Sequence, residues 1–110
     1  MDPNTVVLLL VLHFIGDFLL QSDWMAKNKS KSLKALALHV SMYMIPFFYV
    51  GYVYALVNAL AHMAVDAVTS RLNSHLWEKK EVHWFFVSIG FDQLIHLSTL
   101  VLTYQYLVPK

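Results

Sequence analysis

The sequence predicts an all-α protein, an integral membrane four-helix bundle with both termini on the non-cytoplasmic side. Three observations lead to this prediction. Of the 110 residues, 58% are hydrophobic and only 14% are charged, whereas soluble domains carry about 25% charged residues. Histidines and aspartates recur at helical spacing inside the apolar segments. Most basic residues fall in two polar segments that separate the apolar ones. The length fits one domain.

The composition also excludes several classes of protein. The chain has no cysteine, so neither a disulfide framework nor a cysteine-ligated metal site is possible. The formal charge of +1 argues against a nucleic-acid partner, which requires a basic face. Disordered chains and coiled coils need more charge or a repeat. The expected partner is therefore the lipid bilayer.

Four segments are predicted to cross the membrane, and each of them is interrupted by polar residues. Four spans of about 20 residues need about 80 residues, which leaves about 30 of the 110 for loops and ends. Gly51 is the expected reversal between the second and third spans, and Pro46 is a candidate kink. The predicted spans are 5–21, 35–50, 52–72 and 83–108.

The basic residues predict the orientation of the bundle. Segment 22–34, an interfacial loop or short helix, and segment 73–82, a predicted loop, lie on the same side of a four-span bundle. This side also receives Arg71, so that it holds seven of the eight basic residues and only Lys110 lies opposite. The positive-inside rule places this side in the cytoplasm. We therefore expect a multi-pass protein of the inner (cytoplasmic) membrane.

Three predicted spans carry a histidine and an aspartate four residues apart. This spacing places both side chains on one face of a helix. The fourth span runs opposite to the first and third and has the reverse residue order, so each histidine is expected one turn further from the cytoplasm than its aspartate. His39 of the second span is expected in the same half of the bundle as these histidines. The pairs are His13 and Asp17, His62 and Asp66, and Asp92 and His96.

These residue types indicate a metal site. An ionisable residue inside a bilayer costs about 2.5–3.5 kcal/mol, so the three aspartates must be paired, protonated or bound to a cation. Histidine with carboxylate suits zinc, manganese or iron, and we expect zinc or manganese. The predicted ligands are His13, His39, His62, Asp66, Asp92 and His96.

Further residues complete the predicted site. Asp17 is the candidate general base, and Arg71 is either a contact for a phosphate head group or a positive-inside anchor. Gln21, Asn58 and Gln93 are expected to orient the ligands, as hydrogen-bonded neighbours of metal ligands do.

Residues 13–25, which read HFIGDFLLQSDWM, resemble the opening signature of small bacterial and phage membrane proteins, the domain-of-unknown-function family 3307. His39, the Asn58-x3-His62-x3-Asp66 motif and Asp92-Gln93-x2-His96 also resemble this family. The resemblance covers nearly the whole chain. It implies a helical integral membrane protein without an assigned reaction. A looser similarity, confined to His-x3-Asp pairs in membrane helices, connects the chain with membrane-bound metal-dependent hydrolases.

Three functions stay open at this point. The first is a metal-dependent hydrolase of a lipid or lipid-linked phosphate. The second is a proton or ion relay or transport module, because chains of aspartate and histidine also carry protons; a transport route would need a homo-oligomer. The third is a non-catalytic membrane interaction protein, in which the polar stripes only hold helices together.

Overall fold

The computed structural model describes residues 1–108, and the helices in this range confirm the all-α prediction. No strand occurs among these residues. Lys110, the basic residue predicted on the opposite side, lies outside the described range. The elements are α1 (Pro3–Phe14), which continues as a π-helical turn (Ile15–Leu19), α2 (Asp23–Asn28), α3 (Leu33–Phe47), α4 (Tyr52–Glu78) and α5 (Val82–Leu107).

Local sequence explains where the first three helices begin. Asp2, Ser22 and Ser32 precede α1, α2 and α3, and each side chain accepts a hydrogen bond from a backbone N–H of the first turn. These residue types are the preferred N-caps, because their oxygens satisfy backbone donors that have no partner within the helix. Pro46 lies in the last turn of α3, which ends at Phe47.

The prediction of a loop over 73–82 is wrong for most of that segment. Helix α4 continues to Glu78, and the chain turns through Lys79, Lys80 and Glu81 before α5 begins. The segment up to Glu78 contains no glycine or proline, and polar residues continue a helix well. Its polarity therefore marks the end of the apolar part of α4 and not the end of the helix. Segment 22–34 contains the short helix α2, one of its two predicted forms.

The helices of the four predicted spans differ in length, and two of them are shorter than a typical membrane span. Helices α4 and α5, with 27 and 26 residues, are long and apolar enough to cross a membrane. Helix α3 has 15 residues and covers about 22 Å, which is less than the roughly 30 Å of a bilayer core. Helix α1 and its π turn have 12 and 5 residues. These two elements are nearly as long as the predicted spans 5–21 and 35–50, and both are shorter than the roughly 20 residues of a typical span.

The interior of the bundle is unusually polar and its exterior unusually apolar. Helix α4 packs against α3 and α5, and α1 packs against the same two helices. The described residues include as many buried polar or ionisable side chains as buried apolar ones. Large apolar side chains such as Leu60, Phe86 and Leu94 are instead exposed. A soluble helical protein has the opposite arrangement, with an apolar stripe inside and polar residues outside.

One end of the bundle has an apolar core, which we call the apolar cluster. Within it the Tyr54 hydroxyl donates a hydrogen bond to the backbone oxygen of Leu100 at 2.7 Å, which joins α4 to α5. The cluster lies toward the end of the bundle at which α4 begins. Its buried members are Leu9, Leu12, Tyr43, Phe47, Tyr54, Ala55 and Leu100.

Helices α1 and α3 approach each other closely at Gly16. A Cβ at this position would lie 2.8 Å from the backbone oxygen of Tyr43, a distance at which the two backbones would have to separate. Only glycine therefore permits this approach. The same approach brings α3 next to Asp17, which begins the candidate site.

Candidate metal centre

Seven buried ionisable side chains from α1, its π turn, α3, α4 and α5 meet in the middle of the bundle. None of them is more than 7% exposed. The three pairs spaced four residues apart are in contact within each helix, with nitrogen–oxygen distances of 3.5, 3.4 and 3.1 Å in chain order. We call this group the His/Asp cluster. Its members are His13, Asp17, His39, His62, Asp66, Asp92 and His96.

The π turn positions Asp17. In this turn the Leu20 N–H bonds to the Ile15 carbonyl at 2.9 Å, five residues back. Such turns are rare and frequently occur at functional sites. Here the turn directs the Asp17 carboxylate toward α3 and α4, where Oδ1 lies 3.1 Å from His39 Nε2 and 3.4 Å from His62 Nε2.

Four side-chain atoms in the His/Asp cluster lie within 4.8 Å of one another. They are Asp17 Oδ1, His39 Nε2, His62 Nε2 and Asp66 Oδ2. Besides the two Asp17 distances, Asp66 Oδ2 lies 3.3 Å from His39 Nε2 and 3.4 Å from His62 Nε2. The two histidine nitrogens are 3.1 Å apart. Five of the six distances among the four atoms therefore fall between 3.1 and 3.4 Å.

This spacing fits a tetrahedral divalent ion. Zinc binds nitrogen and oxygen ligands at about 2.0–2.1 Å in a tetrahedron, which places the ligand atoms about 3.3–3.4 Å from one another. Two imidazoles and two carboxylates also form a chemically suitable donor set. Without a metal, the 3.1 Å distance between His39 Nε2 and His62 Nε2 fits a direct N–H···N hydrogen bond. These two states of the site are the alternatives that experiments must separate.

Aromatic stacking holds the His62 ring. Its centroid is 3.9 Å from that of Tyr43 on one side and 3.9 Å from that of His96 on the other, and both pairs are nearly parallel. The Nδ1 atoms of His39 and His62 have no hydrogen-bond partner among the described residues. Metal-binding histidines usually donate their second N–H to a neighbour. For His62, stacking is what fixes the ring.

His13 differs from the other histidines because both of its nitrogens are hydrogen-bonded. Nδ1 lies 3.0 Å from the Tyr43 hydroxyl, and Nε2 lies 2.6 Å from Gln93 Oε1. Because Gln93 Oε1 can only accept, His13 Nε2 carries a hydrogen and has no free lone pair, and Nδ1 then accepts from the Tyr43 hydroxyl. In this arrangement His13 lies beside the candidate centre as a hydrogen-bonding group, and its role as a ligand stays a prediction.

The three amides predicted to orient the ligands lie in different places. Gln93 Nε2 donates to Asp17 Oδ2 and to Asp92 Oδ2, both at 3.2 Å, which fits the predicted role. Asn58 instead donates to the Tyr54 carbonyl at 3.0 Å and to a threonine hydroxyl of α5 at 2.9 Å, so it joins two helices away from the cluster. Gln21 is partly buried, and its Oε1 has no partner among the described residues.

Three side chains at the cluster are absent from the sequence-based prediction. Tyr43 follows His39 by four residues and Thr69 follows Asp66 by three, so helical spacing could have identified both. Thr69 donates to Asp92 Oδ1 at 2.5 Å. Lys29 Nζ lies 3.2 Å from Asp66 Oδ2. Because Lys29 belongs to the polar segment between α2 and α3, no periodic pattern connects it with α4.

A cavity of about 530 Å³ leads from the end of the bundle that carries α2 to the His/Asp cluster. Asp17 and Asp92 form its inner end, and Lys27 and Lys29 lie along it. Arg71 is exposed and does not line this cavity, so the structure does not bring it together with the carboxylates. Apolar side chains make up much of the wall. They are Phe18, Trp77, Phe85, Phe86 and Ile89.

Comparison with known proteins identifies the family. No curated protein and no solved structure matches the chain. A family model described as "Protein of unknown function (DUF3307)" matches residues 5–110, which include most of α1, the π turn and every member of the His/Asp cluster. The resemblance of the HFIGDFLLQ segment is thereby confirmed, and the chain belongs to the DUF3307 family.

Proposed function

We propose that this chain is an integral membrane, metal-dependent hydrolase that acts on a lipid phosphate or a lipid-linked phosphate at the cytoplasmic leaflet. One observation carries the proposal. A set of four ligand atoms with the spacing of a tetrahedral ion lies next to the inner end of a cavity lined by lysines and aromatic side chains.

The inside-out distribution of side chains supports the membrane part of the proposal. Exposed leucine, phenylalanine and valine side chains cover the helices, whereas a soluble protein rarely exposes large contiguous apolar patches. The long axis of the bundle is 47 Å. This length is close to the thickness of a bilayer with its head groups, which is about 40–45 Å. In this arrangement the buried aspartates lie at membrane depth, where ionisable residues are typical of function.

The two lysine-rich segments support the orientation. Ser74, near the end of α4, donates a hydrogen bond to Ser30 at 2.9 Å, so segment 22–34 and the end of α4 lie at the same end of the bundle. This end carries the positive charge, and the positive-inside rule assigns it to the cytoplasm. The cavity then opens at the cytoplasmic face of the inner membrane.

Asp17, His39, His62 and Asp66 would hold the ion, with zinc or manganese as the best match to the donor set. When bound, such an ion would polarise a phosphoryl oxygen, and by expanding from four to five ligands it would also make a water molecule acidic enough to attack near neutral pH. The proposal moves Asp17 from general base to ligand, because its Oδ1 lies 3.1 Å from His39 Nε2 inside the ligand set. Gln93 holds the other Asp17 oxygen in place.

The cavity matches an amphiphilic phosphate. Lys27 and Lys29 lie along it and are suitable contacts for a phosphate group, while Phe18, Phe85 and Phe86 form apolar walls suited to an acyl or prenyl chain. We therefore assign the head-group contact to the two lysines in place of Arg71. Contact with Asp66 keeps Lys29 beside the cluster until a phosphate offers it a second partner.

A proton relay is the runner-up, and one observation favours it. The His/Asp cluster forms an unbroken series of contacts from His13 on α1 to Asp92 on α5. The apolar cluster, however, lies between these groups and the opposite end of the bundle. A continuous proton path needs polar groups or water along its whole length, whereas the described core at this level is mainly apolar, and its buried polar side chains Tyr54 and Asn58 donate hydrogen bonds to α5.

Phosphate release from vesicles tests the proposed function. The purified protein is reconstituted with phosphatidate and, separately, with a polyprenyl diphosphate, and zinc or manganese is added. We expect metal-dependent release of inorganic phosphate from at least one substrate and its loss in Asp66→Asn. The matched control is His75→Gln, which alters an exposed histidine of α4 and should keep activity. Metal-loaded protein that releases no phosphate from either substrate would contradict the hydrolase, and proton flux abolished by Asp92→Asn would establish the relay.

A further inference from the structure

In Asp17 and in Asp66, the two carboxylate oxygens face different neighbours. Asp66 Oδ2 faces His39 and His62, at 3.3 and 3.4 Å from their Nε2 atoms, whereas Oδ1 lies 3.4 Å from His96 Nε2. Asp17 Oδ1 likewise faces His39 and His62, whereas Oδ2 accepts from Gln93. Each carboxylate therefore has one oxygen in the four-atom ligand set and one oxygen outside it.

A second group of possible ligands lies on the far side of these carboxylates. Asp17, Asp92 and His96 each offer one ligand atom within 4.8 Å of the others. His96 Nε2 lies 3.1 Å from Asp92 Oδ1 but makes no hydrogen bond to it or to any other described residue. His96 is only 3% exposed. A buried ring nitrogen close to two carboxylates and without a hydrogen bond is a suitable ligand for a cation.

We propose that the centre is binuclear. His39 and His62 hold a first divalent ion, His96 and Asp92 hold a second, and Asp17 and Asp66 bridge the two. This inference rests on the proposed metal site and goes beyond it in the number of ions and in the assignment of each ligand. It also accounts for the stacking of His62 on His96 at 3.9 Å, since the two rings then serve adjacent ions.

The charges of the cluster can accommodate two ions. Three buried aspartates and one divalent ion leave one negative charge, which Lys29 balances from its position beside Asp66. Two divalent ions together with Lys29 exceed the three carboxylates by two positive charges, which favours an anionic substrate. In known two-metal sites the ions lie about 3.5–4 Å apart and stabilise both the attacking and the leaving oxygen in phosphoryl transfer.

Thr69 and Gln93 are the positioning residues for the second ion. Thr69 donates to Asp92 Oδ1 at 2.5 Å, and Gln93 donates to Asp92 Oδ2 at 3.2 Å. Together these bonds fix the carboxylate plane of Asp92. Gln93 also donates to Asp17, so its replacement should affect both ions. The hydrogen bond of Thr69 to the cluster reaches only Asp92, so replacement of Thr69 should weaken the second ion much more than the first.

Metal content and electron paramagnetic resonance test the inference. We expect two ions per chain in wild-type protein loaded with Mn²⁺, and the spectrum of an exchange-coupled pair. His39→Gln and His96→Gln should each bind one ion and give the six-line spectrum of isolated Mn²⁺, and Thr69→Val should lower the affinity for one ion only. His75→Gln, on an exposed histidine, is the control and should bind two.

The number of bound ions separates failure of the binuclear centre from failure of the proposed function. One ion per chain in wild-type protein, or a stoichiometry that His96→Gln leaves unchanged, would overturn the binuclear centre. If that mononuclear protein still released phosphate, the proposed function would survive. No bound ion under any loading condition would overturn both. The wild-type spectrum needs no variant, so the test holds even if a substitution impairs folding.

Discussion

The His/Asp cluster and the apolar cluster lie at successive levels of the same helices, and they follow opposite rules. Among the described residues, one side-chain hydrogen bond joins two members of the apolar cluster, from the Tyr54 hydroxyl to the Leu100 carbonyl. The His/Asp cluster consists of ionisable groups 3.1–3.5 Å apart. Tyr43 belongs to the first and contacts the second, through His13 and His62. One end of the bundle is therefore held together by apolar packing and the other by contacts among ionisable groups.

The largest effect that the comparison predicts is a loss of activity after a substitution in the His/Asp cluster. His62→Ala deletes a ligand nitrogen and the ring stacked between Tyr43 and His96. We expect phosphate release to fall by more than about 100-fold, because even the loss of a neighbour of a metal ligand costs about 10–100-fold. Phosphate release from reconstituted vesicles measures the effect. Activity within a few-fold of wild type would contradict the assignment.

A substitution in the apolar cluster should have the reverse effect. Phe47 is completely buried, and Phe47→Ala removes a large apolar side chain at a cost of about 3–5 kcal/mol. We expect a lower free energy of unfolding, measured in detergent with denaturant, and unchanged metal content per folded chain. Phe86→Ala, at an exposed position, is the control. If folded Phe47→Ala protein lost its metal, metal binding in the His/Asp cluster would depend on packing in the apolar cluster, which would contradict this prediction.

Gly16 tests the junction of the two regions. In Gly16→Ala the new methyl group meets the backbone of Tyr43 at 2.8 Å, and overpacking of this kind costs about 1–3 kcal/mol. We expect a lower thermal midpoint and weaker metal binding, since Asp17 is the next residue. Gly90→Ala is the matched control. Nothing lies within 4 Å of its new Cβ, and alanine is the better helix former by about 1 kcal/mol. Equal effects of the two substitutions would contradict the close approach.

The smallest expected effect concerns Lys29. Its Nζ lies 3.2 Å from Asp66 Oδ2, so the lysine competes with a cation for the same carboxylate. Lys29→Gln should tighten metal binding a few-fold and weaken binding of the phosphate substrate. Titration with Zn²⁺ and the KM for phosphate release measure the two effects. Lys31→Gln removes an exposed charge of the same segment and should change neither. Weaker metal binding in Lys29→Gln would refute this competition.

Much of this arrangement follows from helical spacing in the sequence. The i, i+4 pairs predict which faces of the helices carry the histidines and aspartates, and the structure brings all three pairs and His39 together. The family signature at 13–25 is likewise visible in the sequence, and the family match confirms it. Periodicity suffices for the pairs on α4 and α5 because each of them lies within a regular helix.

Other features depend on contacts between elements, which periodicity does not describe. The π turn at Ile15–Leu19 follows no composition rule, yet it positions Asp17. Lys29 reaches Asp66 from a segment between helices, and the exposed Arg71 does not line the cavity. The amide of Asn58 bonds to α5, although its spacing places it on the same stripe as His62. Spacing predicts which face of a helix carries a side chain, but it does not predict which residue of another element that side chain contacts.

X-ray absorption spectroscopy of the metal in purified protein, prepared without chelators, tests the central claim most directly. We predict a first shell of nitrogen and oxygen at about 2.0–2.1 Å for zinc, with the multiple scattering of imidazole rings. The imidazole signal should decrease in His62→Ala and persist in His75→Ala, which alters an exposed histidine of the same helix. Protein without bound metal, or a metal whose shell contains no imidazole, would contradict the account.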